Sequence, residues 1–321
     1  MSSGNGQNAF DAYTSPPRPP AYPPLPRRRA WSTLVALALF LLTVLSTLAV
    51  GAQFATDYAN NRATSILDTN PYADIWQNPS LLLLGIPFSF TLLGILLAHE
   101  LGHYFACRYY GISASYPYFI PAPTMIGTMG AFIRIRSSIV NRRALFDVGL
   151  AGPVVGFLFA VPALALAILY SKRIPAEQLQ SVITFGNPLL EQMLAVLLRP
   201  GVPVQDIFLH PVGRAAWVGL FATALNLLPI GQLDGGHIVY AVASEKHRKL
   251  SLAFVALLLP LGFIFWYGWL VWAVLLTLLG FRHPMLMDRW EPLDRKRRTW
   301  AAIALLIFLL CFTPAPFTLR L

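Results

Sequence analysis

The chain has 321 residues, of which 56% are hydrophobic and only 12% are charged, and its mean hydropathy is +0.58. An average soluble domain carries about 25% charged residues, so this composition excludes a soluble protein and predicts a polytopic helical membrane protein. The net charge is +10, but the basic residues form short clusters beside apolar runs, which is typical of loops that face anionic lipid headgroups. We therefore expect contact with the lipid bilayer and no binding of nucleic acid.

The N-terminal region combines a polar tail with the first membrane span. Residues 1–29 hold seven prolines and end in three arginines, so we expect a disordered tail with polyproline II character. The arginines place the N-terminus in the cytoplasm under the positive-inside rule. A first span is predicted from about Trp31 to Val50, and the polar residues 51–80 are expected on the opposite side.

A second span is predicted from about Leu81 to Ala106, with its ionisable groups close to the inner end. Residues 111–143 then break the helical pattern, because they are rich in Pro and Gly and alternate in polarity from Ala131 to Arg136. This segment predicts a short membrane-associated β-hairpin. A hairpin beside the bilayer leaves a strand edge that needs a partner.

The second half of the chain predicts further spans. We expect a third span at about 145–170, a mixed polar loop at 171–212, and a fourth span at about 213–243 followed by a basic loop at 244–250. The apolar run 251–281 contains Pro260 and Gly262 near its middle and is interpreted as two short spans, because that keeps the following basic stretch inside. A final span at about Thr299 to Phe312 completes six or seven.

The second span carries the sequence His99-Glu100-Leu101-Gly102-His103, which is an HExxH motif. Two histidines four positions apart on a helix share a face, so both imidazoles can reach one zinc ion. Glu100 can accept a proton from the attacking water and deliver it to the leaving amine. A buried His–Glu hydrogen-bond cluster is the structural alternative, but it leaves the spacing unexplained.

The fourth span supplies the candidate third ligand. Asp234 is a lone carboxylate in an apolar span, and a catalytic zinc takes three protein ligands. Pro229 and the nearby glycines indicate irregular backbone, which at membrane depth is tolerated where it lines a cavity or is buried in protein. Asn226 could donate to the scissile carbonyl or to the developing oxyanion, or make an interhelical hydrogen bond. His237 is interpreted as a supporting group and not as a ligand.

The remaining histidines receive no role. His210, His247 and His283 are placed in loops by the predicted span boundaries.

These residues resemble a known family. The HExxH motif together with Asn226-x-x-Pro229-x-x-x-x-Asp234-Gly235, on two separate spans in this order, is similar to the site-2 protease family of intramembrane metalloproteases. The resemblance covers about residues 81 to 243. It implies one Zn²⁺ per chain held by His99, His103 and Asp234, and Glu100 as the catalytic base.

The resemblance also assigns roles around the metal. Asn226 would orient the substrate or stabilise the oxyanion, and the hairpin edge would hold an unwound substrate segment as an added strand. The residues of that edge are Gly127, Thr128, Met129, Gly130, Ala131 and Phe132.

We expect the chain to be divided into four regions. They are the tail at 1–29, the first transmembrane helix with an external loop at 30–80, a protease core at 81–243 and C-terminal transmembrane helices at 244–321. The expected fold class is an all-α polytopic membrane protein with six or seven transmembrane helices and the short hairpin after the HExxH helix. The chain resembles a compact form without the PDZ or CBS domains of many members. The active site is expected in the cytoplasmic half of the bilayer.

The implied substrates are single-span membrane proteins, such as an anti-sigma factor, cleaved in regulated intramembrane proteolysis. A bacterial plasma membrane is the expected location, because no transit-like leader is evident. The pattern assigns no oligomeric state.

Three alternatives stay open at this point. A membrane zinc protease of the prenyl-protein or heat-shock type is disfavoured. Those two types resemble each other in using a downstream glutamate as the third ligand, whereas the downstream membrane carboxylate of this chain is an aspartate. A metal-ion transporter would need polar lining across the full depth of the membrane. A non-catalytic scaffold of the same fold is ranked last, because all four core positions are intact.

Overall fold

Helices make up most of the computed structural model, which describes residues 29–62, 75–139, 141–178, 183–280 and 292–319. The predicted Pro-rich tail lies outside these residues, apart from Arg29. The α-helices in the described ranges are α1 (Arg29–Ala59), α2 (Ile86–Tyr109), α3 (Arg142–Tyr170), α4 (Leu189–Leu198), α5 (Pro211–Asn226), α6 (Asp234–Ile264), α7 (Gly268–Leu279) and α8 (Arg295–Cys311). A 3₁₀ helix, Pro79–Gly85, runs directly into α2.

Within the described ranges, four helical stretches are long and apolar enough to cross a membrane. They are Thr33–Ala59, Pro79–Tyr109, Arg142–Tyr170 and Asp234–Ile264. Large apolar side chains remain exposed along them, including Leu41 and Leu45 on α1 and Leu166 on α3, as expected of surfaces that contact lipid. The chain is therefore a polytopic membrane protein, and the first three stretches coincide with the first three predicted spans.

The predicted fourth span is divided into two helices. The α5 helix ends at Asn226, and α6 begins only at Asp234. The α6 helix is kinked at Ala243, where φ is −144° and ψ is 64°. The prediction of a basic loop at 244–250 was wrong, because these residues are helical beyond the kink. The run 251–281 is broken as expected, since α6 ends at Ile264 and α7 begins at Gly268.

The predicted polar loop at 171–212 also has more structure than expected. It contains the apolar helix α4 and three short strands, β3 (Lys172–Arg173), β4 (Ile183–Phe185) and β5 (Ile207–Phe208). The β3 and β5 strands pair with each other, and β4 pairs with β6 (Phe317–Leu319), which follows α8. A helix of ten residues, two of them polar, is too short to read as a membrane span, which is why composition did not reveal α4.

The predicted hairpin is present and lies against the first helix. Its strands are β1 (Tyr118–Pro121) and β2 (Thr128–Phe132), which pair antiparallel with Tyr118 opposite Phe132. The paired region ends earlier than the sequence alternation indicated, because Ile135 takes part only in an isolated bridge with Ala114.

Gly127 fits the hairpin turn onto the middle of α1. Its φ is +83°, and a Cβ there would lie 2.8 Å from the carbonyl oxygen of Ser46. The Ser46 hydroxyl donates to the carbonyl of Gly127 at 2.6 Å. The close contact and the left-handed backbone both require glycine at this position.

Ionic contacts tie three helices together at the end of α2 that lies beyond the HExxH motif. Arg297 of α8 donates to both carboxylate oxygens of Asp147 on α3, at 2.9 and 2.5 Å. It also donates to the Tyr110 hydroxyl at 3.1 Å, and that hydroxyl donates to Asp147. Burial and the hydrogen bond to Asp147 raise the pKa of Tyr110. Bidentate pairing of this kind fixes geometry as well as charge.

Candidate metal centre and catalytic site

The two histidines of the HExxH motif face the interior of the helix bundle from one side of α2. His99 and His103 are only 5% and 8% exposed. Their Nε2 atoms lie 3.1 Å apart. The helical spacing of four positions therefore brings both imidazoles to one point, as the sequence predicted.

Asp234 completes a triangle with these histidines. It is the first residue of α6, and its Oδ2 lies 3.2 Å from the Nε2 atoms of both His99 and His103. No other described carboxylate makes an ion pair with either histidine. The structure thus brings together the three residues that the sequence singled out as metal ligands.

The donor set fits a zinc ion. Ligand atoms bound at about 2.0–2.1 Å in a tetrahedral site lie about 3.3–3.4 Å from one another, and the three observed separations are 3.1, 3.2 and 3.2 Å. The Nδ1–H of His103 donates to the carbonyl of Val148 at 2.7 Å. Because this bond holds the ring proton on Nδ1, Nε2 of His103 keeps its lone pair for the metal.

Glycines of α3 make room for the two imidazole rings. A Cβ on Gly152 would lie 2.2 Å from Nε2 of His103, and a Cβ on Gly156 would lie 3.1 Å from Nδ1 of His99. These glycines are one helical turn apart, so the face of α3 beside the two imidazole rings carries no side chain at these positions.

Glu100 lies beside the triangle with 5% of its surface exposed. Its carboxylate belongs to a cluster with the two histidines in which the potential ligand atoms lie within 4.8 Å of one another. The triangle with Asp234 is tighter, so the geometry favours Asp234 over Glu100 as the candidate third metal ligand. The α2 helix that carries Glu100 packs against strand β2.

Asn226 reaches the same point from the last residue of α5. Its Nδ2 lies 3.3 Å from Nε2 of His99. An amide N–H at this position is available to a carbonyl oxygen of a peptide bound at the metal. The interhelical hydrogen bond considered from sequence is thus also present, and it ends on a metal-binding atom.

The backbone between Asn226 and Asp234 folds back on the start of α6. A Cβ on Gly235 would lie 2.0 Å from the carbonyl oxygen of Leu227, and one on Gly236 would lie 2.4 Å from that of Gly231. Gly231 itself has a φ of +55°. The glycines around Asp234 therefore allow the compact turn that brings both ends of the 227–233 loop to the zinc site.

The hairpin presents its second strand beside the catalytic base. The sheet contains two strands in the described part of the chain, β1 and β2, so each strand has an edge without a strand partner there. Met129 and Phe132 of β2 are 65% and 47% exposed. Gly127, Thr128, Gly130 and Ala131 complete the predicted edge, and no contact in the structure assigns any of these residues to a substrate.

The other histidines have distinct positions. His237 packs against Gly149 of α3, one turn beyond Asp234. His210 caps α5 by accepting a hydrogen bond from the N–H of Val212 at 3.3 Å, and His283 lies outside the described residues. The placement of His247 in a loop was wrong, because it is a buried residue of α6 that is 2% exposed.

An apolar cavity of about 830 Å³ opens between α1, the 3₁₀ helix and the hairpin turn. Leu45, Ala49, Trp76 and Pro121 are among its lining residues. None of the metal-binding residues lines it, so this cavity is separate from the catalytic site.

Comparisons with known proteins agree with this site. A family model described as peptidase family M50 matches residues 87–268, which include all five site residues. The chain is 33% identical over 220 residues to probable zinc metalloprotease EGY1, chloroplastic, of Arabidopsis thaliana, a match that covers 65% of this chain and 39% of that protein. It is 31% identical over 252 residues to probable zinc metalloprotease EGY2, chloroplastic, of Oryza sativa subsp. indica, covering 75% and 45%.

The relatives also differ from this chain in length, and their names give a cellular location. The chain spans less than half the length of the curated relatives that it matches. The names of these relatives place them in chloroplasts, so the comparisons give no support to the expected bacterial plasma membrane. The apolar helices support only the coarser statement, that this is a membrane protein.

Proposed function

Because the chain belongs to peptidase family M50, we propose that it is a zinc-dependent endopeptidase that cleaves peptide bonds of membrane-anchored substrates within or beside the bilayer. One observation carries this proposal: the Nε2 atoms of His99 and His103 and Oδ2 of Asp234 form a triangle with sides of 3.1–3.2 Å. That triangle lies in a buried site formed by apolar helices. The substrate must therefore reach it from the membrane or from its surface.

The metal-binding residues and the base divide the chemistry between them. His99, His103 and Asp234 would hold the zinc ion, which when bound activates water and polarises the scissile carbonyl. Glu100 takes the proton of the attacking water and returns it to the leaving amine.

Asn226 and the hairpin position the substrate. The Asn226 amide donates to the carbonyl oxygen of the scissile bond, where negative charge develops. An unwound substrate segment pairs with the free edge of the hairpin, because a helical segment cannot expose its peptide bonds to attack. The contact between α2 and β2 supports a substrate strand close to Glu100.

Single-span membrane proteins are the proposed substrates, and an anti-sigma factor in regulated intramembrane proteolysis is one such protein. The hairpin reaches the middle of α1 through the contact between Gly127 and Ser46. An added strand there would lie at membrane depth, where a transmembrane segment can supply it.

The test is cleavage of a tagged single-span reporter in liposomes that contain the purified protein. Wild type and Glu100→Gln are compared, with Glu245→Gln as the control because Glu245 is an exposed glutamate of α6. We expect cleavage by wild type and by the control, none by Glu100→Gln, and about one zinc ion per chain in all three. Equal cleavage by Glu100→Gln would contradict the proposed mechanism.

Zinc content separates the alternatives. Zinc-loaded protein that cleaves no member of a reporter panel would support a non-catalytic scaffold. Metal flux into the liposomes by the Glu100→Gln variant would support a transporter.

A further inference from the structure

The 227–233 loop has hydrogen-bonding partners that neither the motifs nor the mechanism uses. Gly231 donates its N–H to the hydroxyl of Ser251 at 3.3 Å. The same hydroxyl donates to the carbonyl of Pro229 at 3.2 Å. Nε2 of His247 lies 3.2 Å from the carbonyl oxygen of Gly231. Since a carbonyl accepts only, His247 is the donor, and its ring proton is on Nε2 in this contact.

Both side chains project from one face of α6, beyond its kink at Ala243. They are four positions apart, which is one helical turn. Ser251 is 0% exposed and His247 is 2% exposed. Their polar side-chain atoms make hydrogen bonds to backbone groups of the 227–233 loop, which lie 16 to 22 positions earlier in the chain.

The three bonded backbone groups need such partners. Irregular backbone at membrane depth has no water to satisfy it, and each unsatisfied group costs several kcal/mol there. The bonds end at Pro229 and Gly231, between Asn226 and Asp234. A shift of this short segment would move the amide of Asn226, the carboxylate of Asp234, or both.

We propose that Ser251 and His247 are positioning residues, which hold the 227–233 loop so that Asp234 meets the two histidines and Asn226 faces the substrate carbonyl. They act through the backbone and touch neither the metal ligand atoms nor the substrate. The inference rests on the zinc site of the proposed function and not on the identity of its substrate.

The first test is the zinc affinity of Ser251→Ala, measured on the purified full-length protein by competition with a chelator. Loss of an outer-shell partner of a metal site lowers affinity or activity about 10- to 100-fold, and we expect a loss of about tenfold for this variant. The kcat for reporter cleavage falls with it, while KM changes little, because the hairpin that binds substrate is untouched. The visible spectrum of the Co²⁺-loaded variant should also differ from that of wild type, since the ligand set is distorted.

Ser89→Ala is the matched control. Ser89 is also buried, at 3% exposed, and its hydroxyl makes one hydrogen bond of 2.7 Å to Thr47, between α2 and α1. It precedes His99 by ten positions, about 15 Å along the helix. We expect unchanged zinc affinity and an unchanged Co²⁺ spectrum. An equal loss in Ser89→Ala would show that any buried hydroxyl has this effect and would overturn the inference.

A second pair of variants covers the case in which Ser251→Ala does not fold. His247→Gln keeps an N–H donor near the position of Nε2, whereas His247→Leu removes it. We expect His247→Gln to bind zinc within about threefold of wild type and His247→Leu to lose about tenfold. Equal affinities for the two variants would contradict a role for the donor.

The outcomes also separate this inference from the proposed function. Wild-type protein that binds no zinc would overturn the proposed function and this inference with it. Normal zinc binding by wild type, with full affinity in Ser251→Ala and His247→Leu, would overturn the inference alone.

Discussion

Gly152 and His103 are so close that a Cβ atom on Gly152 would lie 2.2 Å from Nε2 of His103. The contact links a small residue of α3 to the metal-binding atom of α2. His103 cannot turn away freely, because its Nδ1 is bonded to the carbonyl of Val148 on the same helix as Gly152. The zinc site therefore depends on the absence of a side chain at position 152.

Gly152→Ala should strongly weaken zinc binding without replacing a ligand. The added methyl group displaces the His103 ring, so we expect zinc affinity to fall by at least about 100-fold, the upper end of outer-shell effects. Gly94→Ala is the matched control, since a Cβ at Gly94 of α2 has no neighbour within 4 Å. Zinc titration of both purified variants checks the prediction, and full zinc binding by Gly152→Ala would contradict it.

Asp234→Asn should weaken zinc binding because it replaces a carboxylate with a neutral amide. Asp234 contributes the only charged ligand atom of the triangle, so we expect a loss of more than about 100-fold in affinity. Dialysis of wild type against a chelator should abolish cleavage, and added Zn²⁺ should restore it. Asp147→Asn provides the comparison, because Asp147 pairs with Arg297 away from the metal. Similar zinc affinities for the two variants would argue against Asp234 as a ligand.

Asn226→Ala should lower the rate of cleavage while zinc stays bound. Removal of one oxyanion donor costs about 10²- to 10³-fold in kcat, and we expect a loss in that range with zinc affinity within about threefold of wild type. Steady-state kinetics with a fluorogenic transmembrane peptide and metal analysis measure the two quantities. Asn78→Ala, at an exposed asparagine, serves as control. If Asn226→Ala instead loses its zinc, the residue supports the metal site and not the oxyanion.

Glu191 should make stability depend on pH. It is 4% exposed on α4, and burial raises its pKa to about 7 against the opposing effect of the Arg214 guanidinium. The folded state therefore binds the proton of Glu191 more tightly than the unfolded state does. The contribution of this group to the free energy of unfolding is present below the usual pKa of glutamate and is lost as pH rises through about 7.

The check is the difference in Tm between Glu191→Gln and wild type, which should become more positive from pH 5 to pH 8. Glu245→Gln should show no such trend, since Glu245 is exposed. A difference that is constant across this range would contradict the prediction.

The sequence predicted those helices and strands that a short stretch of residues is enough to specify. A long apolar run must form a helix in lipid, because its backbone has no other partner there, and this predicted α1, α2 and α3. The alternation after Gly130 predicted a hairpin, although the paired strand was found slightly earlier in the chain. By contrast, α4 and the helical continuation beyond Ala243 were missed, because short apolar and basic stretches are equally compatible with loops.

The sequence by itself determined the chemistry of this protein, because HExxH places two imidazoles on one helical face and Asp234 is a lone carboxylate in an apolar span. It could not determine how these groups are held at one point. The close contact of Gly152 with His103 and the bonds of Ser251 and His247 to the 227–233 loop each join residues that are distant in the chain. Such contacts depend on how the helices pack against one another, and that arrangement is settled only when the whole bundle buries its apolar surfaces and satisfies its backbone at membrane depth.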